Sequence, residues 1–487
     1  MTSVGENLAP PAAPALGGRL AVFVASAGVL SVALPLLLVA EIDRDPRSTA
    51  WTATLALVVW AGFRLSYRIA SGRPELFDFV FWVFCYIFMG VAPSVQILTG
   101  GVSTTTPGVD PSLDIWIAGT VWTGVVCYEI GRWITRRRRT AWASVRVDAA
   151  TGLDVVPRRA VLLTGVGVVA AAYFVSKIGL GTLFMSRYSA ADIRGAAMPD
   201  LAVRSIVSAA ASYPLLIAAC VFILVGTRSA LGSRSWRYAP LLAIVLVVLL
   251  TVTNPISSAR YDFGTVGFAL VVAAGAMSTV RRARWSMVGV LLALLFVFPI
   301  ADAFRADAVN VQRTGFFAEY AGNPDYDAFW QIGNAVAYVR DDLVQPMMQA
   351  LGVVFFWVPR SIWPGKPLDT GVMLAQYRGY SFENLSAPLW AEALVNGGFV
   401  VVVIGFVALG MILALLDEKI SVALVGRGQF WSVVGAVFPF YMVILLRGSL
   451  LQATGTLVVA LACTLFVREW KREKRQRDRL DAPVVER

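Results

Sequence analysis

Long apolar stretches recur along the whole chain, and they limit the possible folds more than any other feature. A helix needs roughly 20 apolar residues to cross a hydrocarbon core about 30 Å thick. The stretches are continuously apolar, whereas barrel strands alternate apolar and polar residues. Hydrophobic residues make up 57% of the chain and charged residues 15%, with a mean hydropathy of +0.69. We therefore predict an all-α polytopic membrane protein.

The apolar runs predict about twelve transmembrane helices, with one large loop between the ninth and the tenth. The predicted spans are residues 19–40, 50–66, 76–99, 113–134, 160–178, 203–226, 239–253, 263–279, 286–304, 390–416, 430–447 and 450–467. The predicted units are a disordered N-terminal tail (1–18), spans one to nine (19–304), the loop subdomain (305–389), spans ten to twelve (390–467) and a basic tail (468–487). Inside the loop, the apolar run from Met347 to Val358 is too short to cross and predicts a re-entrant or interfacial helix.

Arginine-rich connectors predict the orientation of the spans. Short cytoplasmic loops retain Lys and Arg, and the even-numbered connectors carry most of them, as in Arg132 to Arg139 and Arg281 to Arg284. We expect these connectors and both termini to be cytoplasmic, and the loop at 305–389 to be extracytoplasmic. Topology then accounts for most of the net charge of +11, and no nucleic-acid partner is expected.

Two residue types narrow the possible chemistry. The chain has no histidine, which excludes imidazole bases and histidine metal ligands, so proton transfer falls to carboxylates, lysine, tyrosine or substrate groups. The cysteines lie inside apolar runs without CxxC spacing and are interpreted as packing residues; they are Cys85, Cys127, Cys220 and Cys463. No metal and no cofactor is expected.

A second set of cations falls on the predicted outer side of the membrane, where the topology rule predicts few Lys and Arg residues. Its members are Arg187, Arg194, Arg204, Arg260, Arg305, Arg313, Arg360, Lys366, Arg378 and Arg447. Some could pair with acids such as Asp192, Asp302 or Asp307, and others could reach anionic lipid. The third explanation is convergence on a phosphate or pyrophosphate, which a planar guanidinium binds in a bidentate way. Recurrence of Arg at the mouths of many spans favours convergence.

Carboxylates near the same side are candidate bases. Glu392 and Asn396 are four residues apart after Pro388, so a helix starting there places both on one face, although Glu392 could simply begin a span. Asp262 follows Arg260 in SSARYDFG, where an ion pair is the simpler explanation. Asp43 and Asp45 form an Asp-x-Asp in the first outer loop that can bind a divalent cation; these are weaker candidates.

Two stretches resemble a known family. PRSIWPGKP (Pro359 to Pro367) and NLSAPLWAEALVNGG (Asn384 to Gly398) resemble the late outer segment of O-antigen polymerases of the Wzy type, also called oligosaccharide repeat-unit polymerases. The similarity covers about 40 residues closely, and elsewhere it is one of general layout. It implies roles for Arg360, Lys366, Glu392 and Asn396; Trp363 lies in the same turn and suits the membrane boundary.

The resemblance implies an enzyme of the bacterial cytoplasmic membrane. Such an enzyme joins polyprenyl-pyrophosphate-linked oligosaccharide units into surface polysaccharide on the outer face, in a pathway that also supplies a flippase and a chain-length regulator. Such an enzyme requires cations that stabilise the departing pyrophosphate, a carboxylate that takes the proton of the acceptor hydroxyl, and an apolar groove that holds the polyprenyl chain. The related O-antigen ligases depend on an outer-loop histidine, so a histidine-based ligase mechanism is excluded here.

Other functions remain open on the sequence. A different polyprenyl-dependent glycosyltransferase could use Asp43 and Asp45 as base or metal ligands, and a ligase for another polymer is also possible. A lipid-linked oligosaccharide flippase would carry cations along its spans, whereas here most lie at one rim. A purely structural scaffold gives no reason for cations placed against the topology rule.

Overall fold

The computed structural model describes residues 16–42, 45–140, 155–227, 237–300, 317–383, 385–426 and 429–470. Over these ranges the chain is helical and has no β-strand, apart from one isolated bridge between Val155 and Arg468. Each predicted span coincides with helix over most of its described residues. The predicted N-terminal tail up to residue 15 and the C-terminal tail from residue 471 lie outside the described residues.

The helices used below are numbered in chain order. They are α1 (Gly17–Glu41), α2 (Trp51–Ser71), α3 (Leu76–Leu98), α4 (Asp114–Thr140), α5 (Pro157–Ile178), α6 (Arg187–Ala197), α7 (Leu201–Thr227), α8 (Ala239–Val252), α9 (Arg260–Val271), α10 (Val280–Leu292), α11 (Ala328–Arg340), α12 (Met348–Val354), α13 (Thr370–Arg378), α14 (Leu389–Val425), α15 (Gln429–Arg447) and α16 (Leu450–Phe466). Within the described chain, seven helices are long and apolar enough to cross a membrane: α1, α3, α4, α5, α7, α14 and α15. The predicted class, an all-α polytopic membrane protein, is confirmed at this level.

The centre of the bundle is α3, which is buried along its whole apolar length. Its aromatic residues interlock with α4, where the ring of Phe81 stacks on that of Tyr128 at 3.7 Å between centroids. On α14, the ring of Trp390 lies 4.4 Å from that of Phe406, and its indole N–H donates to the carbonyl of Val121 on α4 (3.2 Å). The four cysteines are buried and free, as predicted.

Helices α4 and α14 cross in backbone contact. A Cβ atom at Gly131 would collide with the carbonyl of Val407, and one at Gly410 would collide with the carbonyl of Tyr128. Small residues permit this close approach in membrane helix pairs, where packing rather than the hydrophobic effect drives association. The crossing fixes α14, and with it the polar residues at both of its ends.

The segment between α10 and α14 packs into the bundle. Trp330 and Gln331 on α11 are fully buried, and the indole N–H of Trp330 donates to Gln96 Oε1 on α3 (2.6 Å). By contrast, α12 has seven residues, about 10 Å at 1.5 Å per residue, which is too short to cross a membrane. Large apolar side chains on α12 and just after it are exposed, including Val354 (64%) and Trp357 (65%).

We name the two ends of the bundle after two residues of α14. Glu392 lies near the start of this helix and Asp417 near its finish, roughly 37 Å apart at 1.5 Å per residue. Both are buried carboxylates, with 2% and 1% exposure. The Glu392 end and the Asp417 end therefore carry separate polar sites.

Candidate functional site

Glu392 is buried where three helices begin. Helix α14 starts after Pro388, whose backbone is extended. A helix does not extend back through this residue, because proline lacks an N–H and restricts the conformation of the residue before it. The hydroxyl of Thr370, the first residue of α13, donates to Glu392 Oε2 (2.9 Å). The backbone N–H of Leu450, the first residue of α16, donates to Oε1 (2.9 Å). One carboxylate thus joins the starts of α13, α14 and α16.

A second carboxylate lies beside Glu392. Asp369 caps α13, with its Oδ1 accepting from the N–H of Gly371 (2.9 Å). The hydroxyl of Ser449 interacts with both carboxylates and also accepts from the N–H of Thr370 (3.3 Å). Burial, the largest effect, raises the pKa of Asp369, opposed by its hydrogen bonds to Gly371 and Ser449. We call Asp369 and Glu392 the carboxylate pair.

Sequence reasoning missed Asp369 although a signal was present. An Asp before Thr-Gly and an apolar run is a typical helix start, and Asp369 directly precedes the first residue of α13. Its nearness to Glu392 depends on α13 meeting α14, and no local pattern encodes that contact. Ser449 was missed for the same reason, since it lies in the connection between α15 and α16.

Helix α14 is broken immediately after this site. Gly398 has φ +65° and ψ −155°, a conformation that is essentially restricted to glycine. The side chain of Asn396 donates to the carbonyl of Glu392 (2.8 Å) and accepts from the N–H of Ala350 on α12 (2.8 Å). Its backbone carbonyl accepts from the N–H of Met347 (2.9 Å). Asn396 therefore ties the broken helix to α12.

Alanine at Gly398 is expected to lower stability by about 1–3 kcal/mol, because a Cβ strains this backbone conformation. The matched control is Gly405→Ala in the regular part of the same helix, where a Cβ meets nothing within 4 Å; there alanine should be neutral or slightly stabilising. The measurement is the midpoint of thermal unfolding in detergent. Equal midpoints for the two variants would contradict a break at Gly398.

Two predicted arginines meet beside the carboxylate pair. Arg447, the last residue of α15, lies 3.3 Å from Asp325 Oδ1 and 3.2 Å from Asp327 Oδ1. Arg260, the first residue of α9, lies 3.6 Å from Asp325 Oδ2. The carbonyl of Arg447 accepts from the N–H of Ala387, just before α14. Arg447 is two residues from Ser449, so the short connection between α15 and α16 links the arginines to the carboxylate pair.

Helix α6 brings two further predicted arginines to the same region. Arg187 and Arg194 both lie within electrostatic range of Asp262 on α9, and Arg187 is also within range of Arg260. Arg194 donates to the hydroxyl of Ser257 (3.3 Å). Burial, the largest effect, lowers the pKa of Arg194, and Asp262 opposes this shift. We define the arginine cluster as Arg187, Arg194, Arg260 and Arg447 with the acids Asp262, Asp325 and Asp327.

Arg360 and Lys366 are placed differently from these arginines. The guanidinium of Arg360 donates to the carbonyls of Lys366 (2.6 Å) and Pro367 (3.0 Å). The ammonium of Lys366 donates to the carbonyls of Phe356 (2.6 Å) and Val358 (2.9 Å). Both cations therefore hold together the turn in which they lie. Desolvation, followed by repulsion from Arg360, lowers the pKa of Lys366.

The remaining predicted residues fall in separate places. Arg378 donates to the carbonyl of Gly108 in the connection between α3 and α4 (2.5 Å). Trp363 is half-buried, and its backbone N–H donates to the carbonyl of Pro359 (3.1 Å). Arg305 lies outside the described residues.

The acids expected as arginine partners are only partly visible. Asp302 and Asp307 lie outside the described residues, and so does Asp43 of the Asp-x-Asp pair. Asp45 is described, and its backbone N–H donates to the carbonyl of Leu98 (3.1 Å). Asp192 is exposed on α6. Among the described residues, Asp325 and Asp327 are the acids that contact Arg260 and Arg447, and sequence reasoning did not select them.

A second polar site, also missed, occupies the Asp417 end. Arg132 is 2% exposed and contacts three acids: Asp417 Oδ2 (3.0 Å), Glu75 Oε2 (2.8 Å) and Asp78 Oδ1 (3.1 Å). Arg68, equally buried, contacts Asp78 and also Glu75 (2.6 Å). We call these five residues the Arg132 network. Topology was the predicted role of both arginines, but the structure buries them in ion pairs.

Asp417 also caps the start of α3. Its two carboxylate oxygens accept from the backbone N–H groups of Phe77 (2.8 Å) and Asp78 (3.0 Å). A carboxylate at a helix N-terminus satisfies N–H groups that have no partner within the helix. A signal for this site existed, because ionisable residues inside apolar runs are normally paired or functional. The network locks α14 to α2, α3 and α4.

Comparison with known proteins gives no match: no protein-family model, no curated protein and no solved structure corresponds to this chain. Its function therefore has to be inferred from its own residues. The carboxylate pair and the arginine cluster at the Glu392 end are the residues on which that inference depends.

Proposed function

We propose that this protein is a membrane glycosyltransferase that polymerises polyprenyl-pyrophosphate-linked oligosaccharide units into surface polysaccharide. The observation that carries the proposal is the arginine cluster next to the buried carboxylate pair at one end of a membrane bundle. Arginines bind phosphate oxygens with their planar fork, and a buried carboxylate can accept a proton. The two groups together match the needs of a transfer from a pyrophosphate.

The reaction assigns one step to each group. An acceptor hydroxyl oxygen attacks the anomeric carbon of the donor sugar, and the bond from that carbon to the pyrophosphate oxygen breaks. Glu392 takes the hydroxyl proton. The polyprenyl pyrophosphate leaves with the bonding electron pair, and Arg260 and Arg447 stabilise its added charge. Asp325 and Asp327 hold both guanidinium groups in place before the substrate binds.

The lipid side of the proposal uses the short helix α12. Its exposed apolar side chains suit a helix lying at the membrane boundary, where a polyprenyl tail would approach. The Glu392 end is then the outer face, both termini are cytoplasmic, and the bundle has about twelve spans, with α2, α8, α9, α10 and α16 crossing as well. The membrane is the bacterial cytoplasmic membrane.

The proposal can be tested with Arg447→Lys in membrane vesicles supplied with polyprenyl-pyrophosphate oligosaccharide. Lysine keeps the charge beside Asp325 and Asp327 but loses the guanidinium fork. We expect polymer synthesis, measured by gel separation of chain lengths, to fall roughly 10²-fold. Arg378→Lys is the matched control, because Arg378 lies by Gly108, and it should retain normal synthesis.

Three outcomes would favour other functions. Loss of synthesis on chelation with EDTA would favour a metal-dependent glycosyltransferase that uses Asp43 and Asp45. Transfer of a finished chain to a different acceptor, without elongation, would favour a polysaccharide ligase. Movement of the labelled lipid across the vesicle membrane, with no new glycosidic bond, would favour a flippase and reject the proposal.

A further inference from the structure

A cavity of about 210 Å³ lies at the Glu392 end, between α11, α12, α13 and α14. One water needs only about 10–15 Å³ by the same measure, whereas sites for drug-sized ligands span about 300–1,000 Å³. The cavity thus has room for a single ring-sized group. Part of its wall is apolar, formed by Met348, Leu368, Met373 and Val395.

The polar part of the wall contains an unsatisfied buried group. Gln349 is 5% exposed, and its Oε1 has no hydrogen-bond partner among the described residues. Among the same residues, its amide nitrogen contacts only a weak acceptor, the sulfur of Met373 (3.2 Å). A buried polar atom without a partner is costly, and such an atom in a native structure indicates a missing ligand or water. Tyr338 and Gln345 add polar groups to the same wall.

The cavity adjoins the carboxylate pair. Val395 follows Glu392 by three residues on α14, and Met373 follows Thr370 by three residues on α13. Residues three apart on a helix are neighbours on one face. Because Thr370 and Glu392 are hydrogen-bonded to each other, the cavity begins one helical turn from that bond on both helices.

We propose that this cavity binds one neutral pyranose ring. An aromatic ring, thioether and aliphatic groups suit the C–H face of a sugar, and Gln349 Oε1 accepts a hydrogen bond from a sugar hydroxyl. None of the described residues lining the cavity is charged, which disfavours a uronic acid. The bound ring is the reacting end of the acceptor; this identification, unlike sugar binding itself, rests on the proposed function.

The test measures sugar binding to the purified full-length protein in detergent, without lipid-linked substrate. The probes are methyl glycosides of glucose, galactose, mannose, rhamnose and N-acetylglucosamine, with methyl glucuronide as the charged comparison, observed by saturation-transfer NMR. We expect at least one neutral glycoside to bind and Gln349→Met to raise its Kd about tenfold. Met373→Trp, which fills the cavity, should abolish binding.

Gln376→Met is the matched control, because it makes the same change on the exposed side of α13 and should leave the Kd unchanged. If Met373→Trp does not fold, Gln349→Met carries the test. The inference is overturned if no neutral glycoside binds, or if binding is unchanged in Gln349→Met. If sugar binding depends on Gln349 but the protein makes no polymer, the sugar site is retained and the polymerase function is rejected. If the protein makes polymer but Gln349→Met leaves sugar binding unchanged, the polymerase function is retained and the sugar site is rejected.

Discussion

Replacement of Glu392 by glutamine is expected to slow polymer synthesis by about 10²–10⁴-fold, the usual contribution of a general base. Glutamine has nearly the same shape, and its carbonyl oxygen can still accept from the N–H of Leu450. It cannot take a proton from an acceptor hydroxyl. The measurement is the initial rate of chain extension in vesicles, divided by the amount of folded protein.

The matched control is Glu383→Gln, in the segment just before α14. Glu383 is exposed, and within the described chain its carboxylate accepts only from the amide of Gln376 (3.1 Å), so loss of this carboxylate should leave the rate unchanged. Full activity of Glu392→Gln would mean that Glu392 serves only to hold the starts of α13 and α16. In that case Glu392→Ala would lower the thermal midpoint, whereas Glu392→Gln would not.

The charge of Asp369 affects the protonation of the carboxylate pair. Burial raises its pKa, so Asp369 keeps its proton to a higher pH than an exposed aspartate does. Two neighbouring carboxylates are less costly when one of them is protonated, because like charges then do not face each other. The carboxylate pair is therefore expected to share one proton.

The helices that coincide with predicted spans could be predicted from the sequence because each depends on a local property, the length of an apolar run. The predicted span at 390–416 shows where that property stops being informative. It coincides with α14 (Leu389–Val425), but the structure breaks this helix at Gly397 and Gly398. Two adjacent glycines are compatible with a continuous helix and with a broken one, and the contacts of α12 with Asn396 decide between them.

The site was predicted only in part, because its residues are far apart in the chain. Arg447 and Arg260 could be selected from the sequence, because cations on the predicted outer side are the opposite of what the topology rule predicts. Asp325 is an ordinary acid in a polar segment, and nothing local distinguishes it from its neighbours. Asp369 has the local signal of a helix start, but that signal does not indicate its position beside Glu392. For Arg360 the sequence motif is distinctive, but the motif does not indicate which groups the side chain contacts. In the structure its guanidinium donates to carbonyls of its own turn.

Replacement of Arg132 by methionine is expected to have the largest effect on stability, a loss of about 3–5 kcal/mol. Methionine fills most of the space of the arginine stem but leaves Asp78 and Asp417 buried with less positive charge. Removing one partner from a buried ion network costs far more than the intact network contributes to the free energy of unfolding, because the remaining charges stay desolvated. The measurements are the thermal midpoint in detergent and the amount of protein in the membrane.

Arg136→Met is the matched control for this change. Arg136 lies one helical turn from Arg132 on α4 and contacts the same acid, Glu75, at 2.7 Å, but its side chain is 46% exposed. Solvent screens such a pair, so its loss should cost no more than about 1 kcal/mol. Because Asp417 caps α3 as well as pairing with Arg132, Asp417→Asn should destabilise the protein less than Arg132→Met: asparagine keeps one oxygen for the N–H groups of α3. Equal midpoints for Arg132→Met and Arg136→Met would show that the network does not hold α14 in place.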